Sequence, residues 1–127
     1  MKIKHNETVP QNPVEMEGAE GCTVRWLLGK SDAAPNFAMR QFEVAPGGHT
    51  PKHFHDYEHE VFVMEGQGVV LEGEREHFLK AGDVILVVPN EVHQFRNTGE
   101  TPFKFLCLVP NSSYDRPVSM AAECGEK

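Results

Sequence analysis

Three histidines fall within seven residues, His53, His55 and His59, and a fourth, His93, stands in the later segment VVPNEVHQFRN. On an extended chain successive side chains point to opposite faces, so His53 and His55 share a face, with Phe54 opposite. His59 has the same parity, as do Val61 and Val63 after it, provided no bulge within 56–58 breaks the count. Three imidazoles on one wall make a partial cage, and His93 on another strand can complete it. Imidazole nitrogen suits zinc, copper, iron and nickel. A structural zinc site is closed and tetrahedral, usually with cysteine. Four neutral imidazoles leave a divalent ion its full charge. In six-coordinate geometry they also leave two positions for water, dioxygen or a chelating substrate. His49 and His77, with polar neighbours, are assigned to the surface or to ordinary hydrogen bonds.

Short strands must hold these residues. Eleven glycines and nine prolines fall between short apolar runs, which favours an all-β chain of sandwich or barrel type. The expected strands are Cys22–Leu28, Phe37–Val44, Glu60–Met64, Val69–Leu71, His77–Leu79, Val84–Val88, Val92–Arg96 and Phe103–Val109. An edge strand could open at Lys2–Lys4, while Pro10 and Pro13 oppose regular pairing between them. Pro46-Gly47-Gly48 is read as a turn toward the histidines. Val84–Val88 is a continuous apolar run, as expected of a strand buried on both faces. With Lys104 toward water, Phe103, Phe105, Cys107 and Val109 point inward, and Phe95 shares the parity of His93. Phe95, Phe105 and Cys107 are therefore candidates to line a cavity. For Cys107 a small buried hydrophobe and a functional thiol both remain open, the first being the commoner role of free cysteine. Phe62, Met64, Leu106 and Leu108 lie on the opposite face and need cover, from the N-terminal segment or from a second copy.

At 127 residues the chain suits one domain, 1–127, with an N-terminal arm (1–21), a core (32–110) and a C-terminal arm (111–127) that could end in a short helix around Met120–Glu123. A formal charge of -7 without a basic stripe argues against nucleic-acid binding. Three cysteines, Cys22, Cys107 and Cys124, lack the spacing of a disulfide framework or a thiolate zinc site. The opening MKIKHNETVPQNP has no apolar core of a secretory leader, and no stretch reaches the length of a membrane span, so a cytoplasmic location is expected.

The two histidine segments resemble the paired motifs of cupins. The first places Gly47, His53, His55, His59 and Gly66 at that family's intervals, and the second runs Gly82, Pro89, His93, Asn97. His59 occupies the position of the usual glutamate, and Glu60, one residue later, points to the other face. The proline is displaced by one residue, and Glu91 stands at the second motif's other glycine. The resemblance covers about residues 32–110 and is greatest to small bacterial cupins with an all-histidine site. It implies a jelly-roll β-barrel (a double-stranded β-helix), with His53, His55, His59 and His93 as ligands. It also implies a divalent metal, manganese or iron foremost with nickel, zinc or copper as alternatives, and a homodimer.

Cupins host many reactions, and a fold does not name one. The expected function is a metal-dependent oxygenase or oxidase acting on a small, partly apolar substrate. The alternatives are a non-redox isomerase or lyase, or a binding protein without turnover. No general base is evident among the inward positions. Metal release is expected on acidification, because histidine ordinarily titrates near pH ~6.5 and a protonated ring cannot ligate.

Overall fold

The computed structural model of the chain describes residues 1–121. Its elements are β1 (Asn12–Pro13), β2 (Glu20–Leu28), β3 (Phe37–His49), β4 (His53–His55), β5 (His59–Glu65), β6 (Gln67–Glu72), β7 (Arg75–Lys80), β8 (Val84–Val87), β9 (His93–Arg96), β10 (Phe103–Pro110) and β11 (Val118–Met120). Three short 3₁₀ turns, Asn6–Thr8, Lys30–Asp32 and Asn111–Asp115, are the only helical pieces among the described residues. None is long and apolar enough to cross a membrane.

Among the described residues all strand pairs are antiparallel, and the main path runs β11-β4-β9-β3-β10-β5-β8. From it β2 branches beside β3, and β6 with β7 branches beside β9. The result is an all-β jelly roll curled about a central cavity. Alternation decides which residues reach the inside. In β10, Phe103, Phe105, Cys107 and Val109 are all buried to 3% exposure or less, while Lys104, Leu106 and Leu108 are half-buried on the other face. In β5, His59, Val61 and Val63 are buried, and Glu60 and Phe62 are exposed. The Phe105 ring joins the strands, stacking on Phe42 at 5.4 Å and on Phe95 at 4.7 Å between centroids. Burial of such apolar side chains stabilises the roll by about 1.5–3 kcal/mol each.

The expected turn at Pro46-Gly47-Gly48 is instead part of β3. The strand bends there, with Gly47 at φ 83°, and passes from pairing Val44 with Phe103 to pairing His49 with Arg96. Asn97, singled out in the second motif, locks the bend. Its backbone accepts from Gly47 N at 3.1 Å and donates to Gly48 O at 3.0 Å, and its amide donates to Val44 O and Thr101 O at 2.8 Å. Glycine is required at 48 because a Cβ there would lie 2.5 Å from Glu20 O.

The run Val84–Val88 is not buried on both faces. Val87 is buried and Ile85 half-buried, but Val84, Leu86 and Val88 are 74%, 57% and 45% exposed. The cause is that nothing among the described residues packs over this face of the β5–β8 pair, so these side chains look outward. Phe62, beside Val84 in the β5–β8 register, is also exposed.

The N-terminal segment forms no strand at Lys2–Lys4. Both lysines instead pair with Asp32, at 3.1 and 3.0 Å, and their charges hold its carboxyl down to about 2. Pro13 does enter a ladder, in the two-residue strand β1 against β2, the kind of short edge where a missing N–H is tolerated. The C-terminal segment is less of an arm than expected, since β11 pairs with β4. The helix expected at 120–123 begins on Met120, which is strand, and its last two residues lie outside those described.

Candidate metal centre

Each histidine is carried by the local structure that its parity implies. His53 and His55 bracket Phe54 on β4, His59 opens β5, and His93 opens β9 directly opposite His53 in the register. The bend 56–58 returns the chain without changing the face. One ring nitrogen from each of the four lies within 4.8 Å of the others. The His55 and His59 Nε2 atoms are 3.0 Å apart, and the His53 and His93 ring centroids 4.7 Å. Metal–imidazole bonds of about 2.1 Å place neighbouring donors about 3 Å apart and opposite ones about 4.2 Å apart. The four rings could therefore hold one ion.

The hydrogen bonds set the ring orientations. His55 Nδ1 lies 2.8 Å from Tyr57 O and His93 Nδ1 lies 2.8 Å from Glu91 O. A carbonyl oxygen only accepts, so both Nδ1 atoms donate, and the Nε2 lone pairs are left to face the cluster. His93 Nε2 is buried without a hydrogen-bond partner, as are the Nδ1 atoms of His53 and His59. An unmatched buried acceptor is costly unless something fills it. A cation is the partner that the His93 lone pair fits.

Burial also keeps the rings neutral. It pushes His53 down to about 3, helped by the repulsion a second proton would meet on His93 or His55 and by the Arg40 charge. It pushes His93 down to about 4 against the opposing bond to Glu91, and it lowers His55 and, more strongly, His59. The pH window in which protons compete for the site therefore lies below the ordinary histidine range expected from sequence.

The histidines sit in a cavity of about 370 Å³ whose apolar wall includes Val24, Trp26, Phe42, Phe95, Phe105 and Val118. The three pocket candidates Phe95, Phe105 and Cys107 all line it. His49 and His77 lie apart from the cluster: His49 Nε2 is 3.9 Å from Glu20 and His77 Nε2 is 2.8 Å from Glu72. Among the lining residues that the sequence did not point to are Tyr57 and Arg40. Tyr57 is buried, and its ring stacks on His55 at 3.9 Å between centroids. Its phenol is raised by burial, so it stays protonated. Its odd number, shared with the histidines, was the available signal, masked by treating 56–58 as a break. Arg40 donates to Cys107 Sγ at 3.1 Å, and its charge reaches all four histidines. It shares parity with Phe42, but no local pattern tells which face of β3 looks inward. The Cys107 thiol is fully enclosed and raised by burial, which makes it a poor nucleophile.

Residues 40–109 match the family model described as the cupin domain. The chain belongs to the cupin family. This cupin is 32% identical to the polyketide cyclase RemF from Streptomyces resistomycificus, with a TM-score of 0.89 over 98% of this chain and 88% of that one. It is 29% identical to an oxalate-binding protein from Thermotoga maritima, over 86% of this chain and 93% of the relative. It is 33% identical to the 1-methylthio-D-xylulose 5-phosphate methylsulfurylase of Rhodospirillum rubrum, over 62% of this chain but only 50% of that protein. Two of the three are named as enzymes of different reactions and one as a binding protein, so membership fixes the scaffold and leaves the reaction to the site.

Proposed function

We propose that this cupin is a metal-dependent enzyme in which His53, His55, His59 and His93 hold one divalent ion, manganese or iron foremost, and which acts on a small, flat, largely apolar substrate bearing oxygen atoms. The observation that carries this is the buried Nε2 of His93, without a partner and facing three more imidazoles in an aromatic-walled cavity. Such an ion supplies Lewis acidity toward a carbonyl or enolate oxygen and, if iron or manganese, one-electron chemistry with dioxygen. The chain's own residues do the rest. Trp26, Phe42, Phe95 and Phe105 wall the cavity, exclude water and favour a planar ligand. Tyr57, neutral and stacked on His55, carries a phenolic proton in the cavity wall. It can donate that proton to a developing oxyanion and take it back.

Carbonyl or enolate activation leading to ring closure is the favoured reaction, because a relative that matches nearly the whole chain is a polyketide cyclase. An oxygenase or oxidase is the second reading. It is supported by the all-histidine, carboxylate-free cluster, a neutral donor set that tolerates redox-active metals. Elemental analysis of untagged protein tests the metal, and less than about a tenth of an equivalent of any transition metal after supplementation refutes it. Oxygen uptake with a panel of polyketones and enols separates the reactions: consumption in step with turnover establishes the oxygenase, and turnover without it the cyclase. A homodimer belongs to the same proposal, supported by the exposed Phe62, Val84, Leu86 and Val88.

A further inference from the structure

We propose that Arg40 makes the cavity selective for an organic anion. The ligand is a small planar acid whose carboxylate pairs with the guanidinium while its apolar body lies along the aromatic wall. This rests on the reading of the cavity as a ligand site and adds the charge of the ligand. The guanidinium is permanently cationic and lines the cavity beside Trp26 and Phe42, 5.4 and 4.8 Å above their ring centroids. Its hydrogen bond goes to Cys107 Sγ, a weak acceptor and a thiol that burial keeps uncharged. Its Nε is buried with no partner. Among the described residues no carboxylate reaches it. Glu15 is the one acid lining the cavity and is exposed at its rim, while Glu43 on the same strand faces outward near Lys104.

A cation half-buried among aromatic rings without a counter-ion is stabilised by the ring faces but leaves most of its five donors unused. The four neighbouring histidines supply no counter-ion, since an imidazole ring is neutral or cationic in its accessible states. A divalent ion on them would raise the positive charge of the cavity further. Both features ask for an anion, and the planar fork of arginine matches a carboxylate with two parallel bonds. The apolar wall excludes a small, fully hydrated anion as the whole ligand and asks for a ring or a conjugated chain behind the acid group.

Benzoate and benzamide test this, since they share a shape and differ in charge. Their affinities are measured by calorimetry and by quenching of Trp26, the single tryptophan and a cavity residue. The measurement uses the protein as purified and the protein stripped by a chelator, where the ion's own pull on a carboxylate is gone. Benzoate should bind at least about tenfold more tightly than benzamide in the stripped protein, the effect of one charge-assisted pair. Arg40→Gln should erase that preference, with folding checked by its unfolding midpoint, and Arg40→Lys should retain part of it. Equal affinities in the stripped wild-type protein overturn the proposal whatever the variants do, and so does an undiminished preference in Arg40→Gln. A preference that persists in protein unable to take up any metal supports Arg40 and sinks the metal reading instead.

Discussion

Acidifying the metal-free protein from pH ~7 to pH ~5 is expected to cost about 4 kcal/mol of folding stability through His53 and His93 alone. Burial holds these rings at about 3 and about 4, against 6.5 for an exposed histidine. The folded pKa is the lower one, so the unfolded chain binds the proton first. Stability is unaffected above the unfolded value, falls as pH drops below it, and stops falling once the folded value is passed. At pH ~5 an unfolded histidine is almost fully protonated, and the imbalance is about 1.5 pH units, or about 2 kcal/mol per ring. His55 and His59 are shifted in the same direction and add to the loss. Two histidines give a limiting slope of about 2.7 kcal/mol per pH unit, a large share of the 5–15 kcal/mol that holds a typical domain together. The assay is urea unfolding at half-unit intervals between pH ~7 and ~5 with a chelator present, repeated on His53→Gln/His93→Gln. Staying above pH ~5 keeps most carboxylates out of the comparison. A wild-type slope below that of a single proton, or a double variant with an unchanged slope, would refute the claim that these rings are buried neutral. Metal should restore most of the lost stability, since an ion that binds the folded chain alone opposes its unfolding.

Three further outcomes are expected. His93→Ala should lose bound metal by at least about tenfold in affinity, while His77→Ala, whose ring lies against Glu72, leaves it unchanged; elemental analysis and a competitive chelator titration decide this. Gly66→Ala should destabilise by more than about 3 kcal/mol in urea unfolding, because the residue sits at φ 84° and a Cβ would come within 2.2 Å of Pro102 O. Gly73→Ala, at φ 62° with open space around the new carbon, should cost only about 1 kcal/mol. Sedimentation velocity at micromolar concentration should show a dimer that Leu86→Asp dissociates; a wild-type monomer removes the second copy from the proposal.

The fold and the histidine cluster were largely legible because both depend on a period of two. Parity placed His53, His55 and His59 together and set Phe103, Phe105 and Cys107 inside, and parity survives errors of a residue or two in strand ends. What it could not supply was partnership between distant strands. The exposure of Val84 and Leu86 depends on whether another element covers that face of the sheet, which no local pattern reveals. The bend at Gly47 read as a turn because glycine and proline mark both turns and bulges, and the difference lies in what Asn97 does fifty residues later. Arg40 was missed for the same reason. The parity of β3 was left open, and only the cavity shows which of its faces Arg40 and Phe42 share.

The register carries one further consequence. Strand β4 meets β9 through a single residue pair, and that pair is His53 and His93. Elsewhere β9 is laddered to β6 over four positions, and β4 to β11 over three. This joint, held by one register pair like the His49–Arg96 joint of β3 with β9, is therefore also the place where two rings face each other. Anything gripping both nitrogens acts as a clasp on that seam, drawing together chain segments forty residues apart in sequence. Amide exchange along β4 and β11 should slow on loading while that of β5 and β10 scarcely changes, so that the occupancy of the centre can be read from the breathing of strands that donate no ligand beyond His53 and His55.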